Sequence, residues 1–221
     1  MKLYFIIPVM DERGTLEELT EGILASTADH ETTILFINDG STDGTREVLD
    51  ELAAKHDAVE VVHFDVNRGK SAALLVGFEK AEGDVIFTMD GDLQDDPVEI
   101  PNYLSKLDEG YDLVCGWKFV RHDPWHKTLP SKVYNGIVGM IFGLDLHDIN
   151  CGYKAMTLEV AKSLNLKHDY HRLVPVFAKL KGFRITEIHV QHHARRYGHS
   201  KYGLARFWHG LRDVFRVWLG K

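Results

Sequence analysis

The chain has 221 residues, 44% of them hydrophobic and 27% charged, with a formal net charge of −7 at pH 7. That length suffices for one full-sized domain with a sizeable core, and the balance of apolar and charged residues is that of a globular protein rather than a disordered or fibrous one. The acidic total argues against general nucleic-acid binding, and the two cysteines, Cys115 and Cys151, form neither a disulfide framework nor a metal-ligand spacing.

The first apolar run follows Met1-Lys2 directly and is too short for a secretory core plus cleavage site. No apolar stretch approaches the roughly 18 residues that span a bilayer, so a cytoplasmic location is expected. The charge is unevenly spread. From Gly182 onward eight Lys/Arg stand against two acids, which leaves a strongly acidic body and a basic tail. Such a tail calls for an anionic partner, either phosphate groups or a membrane surface.

In chain order, Leu3–Val9 lacks alternation and predicts a strand buried on both faces, as in a parallel sheet. Asp11–Thr15 is the turn after it, and Thr15-Leu16-Glu17-Glu18 predicts a capping box opening a helix to about Ala28. Thr33–Ile37 predicts a second strand, followed by the polar turn Asn38–Thr45 and a helix through Lys55. Val59–Phe64 predicts a third strand, and Asn67-Arg68-Gly69-Lys70-Ser71 then opens a helix over Ala72–Ala81. Asp84–Thr88 predicts a fourth, and Met89–Pro97 follows it. Four strand–helix alternations with short connections indicate an α/β fold with a mostly parallel sheet flanked by helices.

Ligands of such sheets bind beyond the carboxyl ends of the strands. Every polar cluster falls there: Asp11-Glu12, Asn38-Asp39, Asn67–Lys70 and Asp90-Gly91-Asp92. Asp90 and Asp92 would project two carboxylates from a strand end, and hard divalent cations such as Mg²⁺ take carboxylates together with substrate phosphates. Asp-Gly-Asp also occurs in ordinary turns, so spacing alone leaves metal site and turn both open. Asp96-Pro97-Val98-Glu99 is a helix start, with Asp95 and Asp96 assigned mainly to that structural role. Lys70 at a helix N-terminus suits a phosphate, or is a solvated first-turn lysine. Neither Gly-x-x-x-x-Gly-Lys-Ser/Thr nor Gly-x-Gly-x-x-Gly is present.

Asp112–Trp117 predicts a fifth strand. Lys118–Pro130 is a polar stretch with Arg121 and Lys127 and predicts a functional loop, before a helix over Ser131–Leu144. Asp145–Lys154 is a polar turn feeding a short strand; within it Asp148 is either a catalytic base or a turn-forming aspartate. His171-Arg172 opens a helix within His168–Lys181, and Arg184–Val190 predicts an alternating strand at a sheet edge. Arg195–Tyr202 is a basic, glycine-centred loop, and residues 204–221 form an amphipathic helix beyond a main domain of residues 1–203. That helix faces either the core or a membrane interface.

Six motifs in order carry a resemblance that covers nearly the whole chain: Ile7–Glu12, Asn38–Thr45, Asn67–Lys70, Met89–Gln94, Asp148–Lys154 and Arg195–Lys201. The chain resembles glycosyltransferase family 2, and within it the polyprenyl-phosphate (dolichol-phosphate) mannose/glucose synthases. The resemblance implies a GT-A fold and an inverting hexosyltransferase that moves a sugar from a UDP- or GDP-linked nucleotide sugar to a polyprenyl phosphate lipid, peripheral on the inner face of the membrane. Pro8, Glu12 and Asp39 would line base and ribose. Asp90, Asp92 and Gln94 would hold Mg²⁺ or Mn²⁺ against the diphosphate, which gives Asp92 its catalytic role. Arg195 and Lys201 would reach the phosphates. Lys118, Lys127 and Ser131 would meet the lipid phosphate, with Arg121 as a rival, because lysine lacks the bidentate fork that the family's arginines provide at positions 118 and 127. The family also commonly has Asn at 11 and Asp at 38, the reverse of this chain. A sugar-hydroxyl acceptor would instead need Asp148 as base. A sugar nucleotidyltransferase would carry a glycine-rich basic loop after the first strand, where Met10-Asp11-Glu12-Arg13 stands.

Overall fold

The computed structural model describes residues 1–119, 125–166, 170–193 and 205–220, with the side chains of 125–132 and 205–209 outside the description. The strands are β1 (Lys2–Val9), β2 (Glu31–Asn38), β3 (Val59–His63), β4 (Val85–Thr88), β5 (Leu113–Lys118), β6 (Lys154–Thr157) and β7 (Ile185–Val190). The helices are α1 (Leu16–Ser26), α2 (Thr45–Lys55), α3 (Lys70–Lys80), α4 (Ile100–Asp108), α5 (Trp125–Phe142), α6 (Leu158–Ser163), α7 (Val174–Leu180) and α8 (Ala205–Trp218). Single 3-10 turns at Pro97–Glu99 and Tyr170–Leu173 lead into α4 and α7.

The sheet runs β3-β2-β1-β4-β6-β5-β7, and β6 alone is antiparallel to its neighbours β4 and β5. The first four strands obey the parallel βαβ logic of their sequence, with β1 central and paired on both sides. Period two explains why β1 reads as one unbroken apolar run. Leu3, Phe5, Ile7 and Val9 enter one core, on the side of α1, α2 and α4, while Tyr4 and Ile6 enter the other, under α3. The first core centres on Phe5 stacked on Phe87 at 4.7 Å, with Tyr103 edge-on to Phe87 at 5.8 Å.

Several boundaries differ from the sequence expectation. α5 begins at Trp125 and runs through Pro130 instead of starting after it; a proline in a helix forfeits one amide bond, which an 18-residue helix can absorb. β7 lies at the edge as expected, but its residues do not alternate between buried and exposed, because α4 lies against the strand as well as α7. α6 was not anticipated, being six residues long and too short to show a period; Thr157 caps it, accepting from the Val160 amide at 3.3 Å. Asp96 does start the next helix, accepting from the Val98 amide at 3.0 Å ahead of Pro97. The expected capping hydrogen bond at Thr15 is not made. Its hydroxyl donates instead to the Gly91 carbonyl at 2.5 Å, with the Glu12 carbonyl 2.8 Å away. The Gly91 acceptor comes from the loop after β4, so the hydroxyl is oriented by a tertiary bond rather than toward the helix amides.

Replacing Phe87 by Ala should cost about 3–5 kcal/mol of unfolding free energy, because it deletes the centre of a closed aromatic cluster. Urea unfolding followed by circular dichroism checks the value.

Candidate active site at the carboxyl edge of the sheet

The loops after β1, β2, β3 and β4 meet at one edge and are sewn together by hydrogen bonds. The Asp11 amide donates to Ser41 Oγ at 2.9 Å, and the Glu12 amide donates to Thr45 Oγ1 at 3.0 Å. The Asp11 carboxylate accepts from the Thr42 amide at 2.8 Å. Asn38 is held between the Ser41 amide and His63 Nδ1, both at 3.0 Å, and His63 Nε2 lies 3.1 Å from Asp50. The exchanged pair at 11 and 38 thus works as internal stitching between adjacent strand ends. Asp39, 5% exposed, accepts from the backbone amides of Arg68 (2.6 Å) and Gly69 (3.0 Å). It fixes the loop that delivers Lys70. Gly40 makes this approach possible: its φ is +73°, and a Cβ there would stand 2.6 Å from the Asn67 nitrogen.

The loop after β4 is tightly wound. Leu93 takes a left-handed φ of 57°, rare for a bulky residue, and this returns the Gln94 amide to Asp92 Oδ1 at 3.2 Å. Lys70 Nζ forms an ion pair with Asp90 Oδ1. Burial alone would raise the Asp90 pKa, but the ammoniums of Lys70 and Lys118, the hydrogen bond from Lys70 and nearby His171 outweigh it and hold the carboxyl well below the usual carboxylate range. Gly152 lies against this carboxylate, and a Cβ at 152 would come within 2.8 Å of Asp90 Oδ2. Asp92 is 6% exposed. Gln94 donates its side-chain amide to the His193 carbonyl at 3.2 Å, while the Gln94 carbonyl accepts from the His193 amide at 3.0 Å. The loop after β4 is therefore paired with the segment that follows β7.

Among the described residues no three acidic, histidine or cysteine side chains converge as a ready-made metal cage. The donor set of Asp90, Asp92 and the Gln94 amide oxygen is all oxygen and short of a full shell. That fits a Mg²⁺-type ion, which takes one or two protein carboxylates and completes its shell from water and phosphate.

The helix start expected of Asp95 and Asp96 together belongs to Asp96 alone. The Asp95 side chain is fully buried, and Lys118 Nζ stands 2.8 Å from Asp95 Oδ1. Burial would depress the Lys118 pKa; Asp95 first, then Cys151 and Asp90, reverse this and hold it above the ordinary lysine value. The same burial pushes the thiols of Cys115 and Cys151 up to about 12, so both stay protonated. Asp148 is 1% exposed. Its backbone amide and that of His147 face Glu187 Oε2 at 3.4 and 2.7 Å. Pro8 sits at the end of β1 in register with Ile37. Of the remaining sequence candidates, Arg121, Arg195 and Lys201 lie outside the described residues; Lys127 and Ser131 fall in α5, where side chains are not described.

Two site residues escaped the sequence reading. Ser71, in the first turn of α3, lies 2.8 Å from His171 Nδ1 through its Oγ and accepts the His171 amide at 3.1 Å. The two are 100 positions apart, and no local pattern links them.

Residues 4–173 match the family model described as Glycosyl transferase family 2. The chain belongs to this family. It is 33% identical over 224 aligned positions to a dodecaprenyl-phosphate galacturonate synthase of Rhizobium johnstonii, covering 98% of this chain and 66% of the relative. It is 36% identical over 203 positions to an undecaprenyl-phosphate 4-deoxy-4-formamido-L-arabinose transferase of Shewanella sediminis, covering 90% and 61%. The chain therefore spans a little under two thirds of the length of these relatives. Among solved structures, glucosyl-3-phosphoglycerate synthase of Mycobacterium tuberculosis in complex with Mn²⁺, uridine diphosphate and phosphoglyceric acid superposes with a TM-score of 0.75 at 18% identity, covering 99% of this chain and 78% of the other. The family 2 chain thus has the GT-A architecture, a mostly parallel seven-stranded sheet flanked by helices.

Within this glycosyltransferase fold, the Asp95–Lys118 pair is the clearest stability test. Lys118→Met should destabilise by about 3–5 kcal/mol, because it leaves a buried carboxylate without its cation. Asp95→Leu combined with Lys118→Met should recover most of the loss in guanidinium unfolding at pH 7.

Proposed function

We propose that this chain is an inverting, metal-assisted hexosyltransferase that moves a sugar from a nucleoside-diphosphate donor to a polyprenyl phosphate. The observation that carries the proposal is the meeting of Asp90, Asp92, Gln94 and Lys70 at the carboxyl edge of β4, beside the amino terminus of α3. Carboxylates and a cation side by side at a helix amino terminus suit a diphosphate and its counter-ion. The relatives named for dodecaprenyl- and undecaprenyl-phosphate chemistry support the acceptor class.

Asp90, Asp92 and Gln94 would hold Mg²⁺ or Mn²⁺, which when bound neutralises negative charge gathering on the leaving diphosphate. Lys70 adds a fixed positive charge on the same side. Pro8, Glu12 and Asp39 would line the crevice for base and ribose, Asp39 by setting the loop at 67–69. Arg195 and Lys201, which lie outside the described residues, would reach the phosphates from the basic C-terminal segment. The strand-end position of Lys118 and the start of α5, with Arg121, Lys127 and Ser131, make up the acceptor side. Because Lys118 is already paired with Asp95, Arg121 and Lys127 would supply the cationic contacts to a lipid phosphate.

The burial of Asp148 bears on the nucleophile. A general base must reach the proton it removes, and this carboxyl is 1% exposed. A lipid phosphate with a second pKa of about 6 is largely dianionic at neutral pH and needs no base. Positioning then carries the chemistry, which favours the phosphate acceptor over a sugar hydroxyl.

The same reading places the protein peripherally on the inner face of a membrane. No helix among the described residues is long and apolar enough to cross a bilayer. α5 and α8 pack together and expose Met140, 86% accessible, with Val133, Phe215 and Trp218, beside Arg212 and Arg216. Apolar and aromatic groups among arginines suit an anionic interface.

Asp92→Asn should lower sugar transfer from a UDP- or GDP-sugar to undecaprenyl phosphate with Mn²⁺ by roughly 100-fold or more, with unfolding unchanged; undiminished turnover would sink the metal assignment. The protein should also co-sediment with phosphatidylglycerol vesicles and lose this on Trp218→Glu combined with Phe215→Glu. Equal sedimentation with and without vesicles would remove the membrane reading.

A further inference from the structure

Ser71 and His171 form a contact that neither the metal loop nor the acceptor side uses. Ser71 is 5% exposed and is the second residue of α3, directly after Lys70. Its Oγ accepts the His171 backbone amide at 3.1 Å and lies 2.8 Å from His171 Nδ1. A buried hydroxyl has one hydrogen to place. With the oxygen accepting from the amide, that hydrogen goes to Nδ1, the one acceptor at bonding distance among the described residues. Nδ1 is then the acceptor and Nε2 carries the ring proton.

The turn Tyr170–Leu173 that carries His171 is itself braced. It packs on α3 on one side and on α8 on the other, where Arg172 approaches Gly210 so closely that a Cβ there would lie 3.3 Å from Nη1 and 3.0 Å from Tyr134. Ser71 is thus gripped by backbone and ring together from a turn that cannot easily withdraw. Lys70, one residue earlier, makes the ion pair with Asp90. Two hydrogen bonds on Ser71 fix the first turn of α3 and with it the direction of the Lys70 side chain.

We propose that His171 is a positioning residue for sugar transfer: through Ser71 it holds the amino terminus of α3 so that Lys70 stays aimed at Asp90 and the diphosphate. The proposal rests on the glycosyl-transfer reading above. It makes His171 act through its Nδ1 side and through Lys70, not as a general acid or base.

Two measurements on the full chain test it. Long-range ¹H–¹⁵N spectra should show His171 as the Nε2–H tautomer with an unprotonated, hydrogen-bonded Nδ1, and Ser71→Ala should abolish that preference; an Nδ1–H tautomer, or one indifferent to Ser71→Ala, overturns the proposal. In kinetics, His171→Ala should lower kcat/KM for the nucleotide sugar roughly ten- to a hundredfold, leaving KM for the lipid acceptor unchanged. His171→Asn, whose amide oxygen reaches the Nδ1 position, should restore most of it, and His171→Gln should not. In a Lys70→Met background His171→Ala should add no further loss. Rescue by Gln instead of Asn, or fully multiplicative losses with Lys70→Met, overturns the role. Absence of transfer by the wild type together with the expected tautomer would overturn the reaction, and with it the role of His171 in it, while leaving the Ser71–His171 contact in place.

Discussion

Four aspartates crowd into the seven residues 90–96 of a partly buried loop, and the site's architecture follows from how each finds a partner. Like charges so close raise one another's pKa and strain the fold unless cations are brought among them. Three of the four aspartates receive partners from different parts of the chain. Lys70 comes from α3, Lys118 from the end of β5, and His193, 2.8 Å from Asp96, from the segment after β7. Asp92 takes the amide of Gln94 within its own loop. The partners approach from several directions, so the loop serves as the hub on which the carboxyl edge is assembled.

This arrangement separates two kinds of charge. The Asp95–Lys118 pair is nearly closed to solvent and internally neutral. Asp90 keeps a third of its side chain exposed, and Gln94 follows in the same loop. Structural neutralisation sits beneath, and groups able to exchange partners sit at the crevice. An ion pair that is one-third exposed can be rearranged by an incoming diphosphate and cation; a buried one cannot without a penalty of several kcal/mol.

The βαβ half and the polar strand ends were legible in the sequence because both depend on local periodicity. β1 through β4, the turns at 11, 38, 67 and 90, and the Asp96-Pro97 helix start all follow from patterns within about ten residues. What was not legible is long-range competition. Thr15 carries a sound capping signature, yet its hydroxyl goes to Gly91, 76 residues away. Asp95 looks like a cap extension until β5 supplies Lys118. Lys118 itself looks like a free phosphate ligand until Asp95 is seen beside it. Ser71 and His171 have no signature at all, since a serine inside a helix start and a histidine in a short turn are individually ordinary.

The antiparallel insertion of β6 explains why the stretch before it is harder to read from sequence than the parallel half. In the parallel half each loop is the immediate continuation of a strand, so sequence order and spatial order agree. β6 pairs with β4 and β5 in the opposite sense, and the residues that precede it, Asp148 to Tyr153, reach the carboxyl edge by entering the sheet rather than leaving it. Gly152 thereby lies against Asp90, and Thr88 donates to the Gly152 carbonyl at 2.8 Å. The reversed strand brings a second loop to the same aspartate from the far side of the crevice. In the proposed reading this carboxylate would mark the boundary between donor and acceptor, because a displacement opposite the leaving diphosphate requires the two substrates to meet across one.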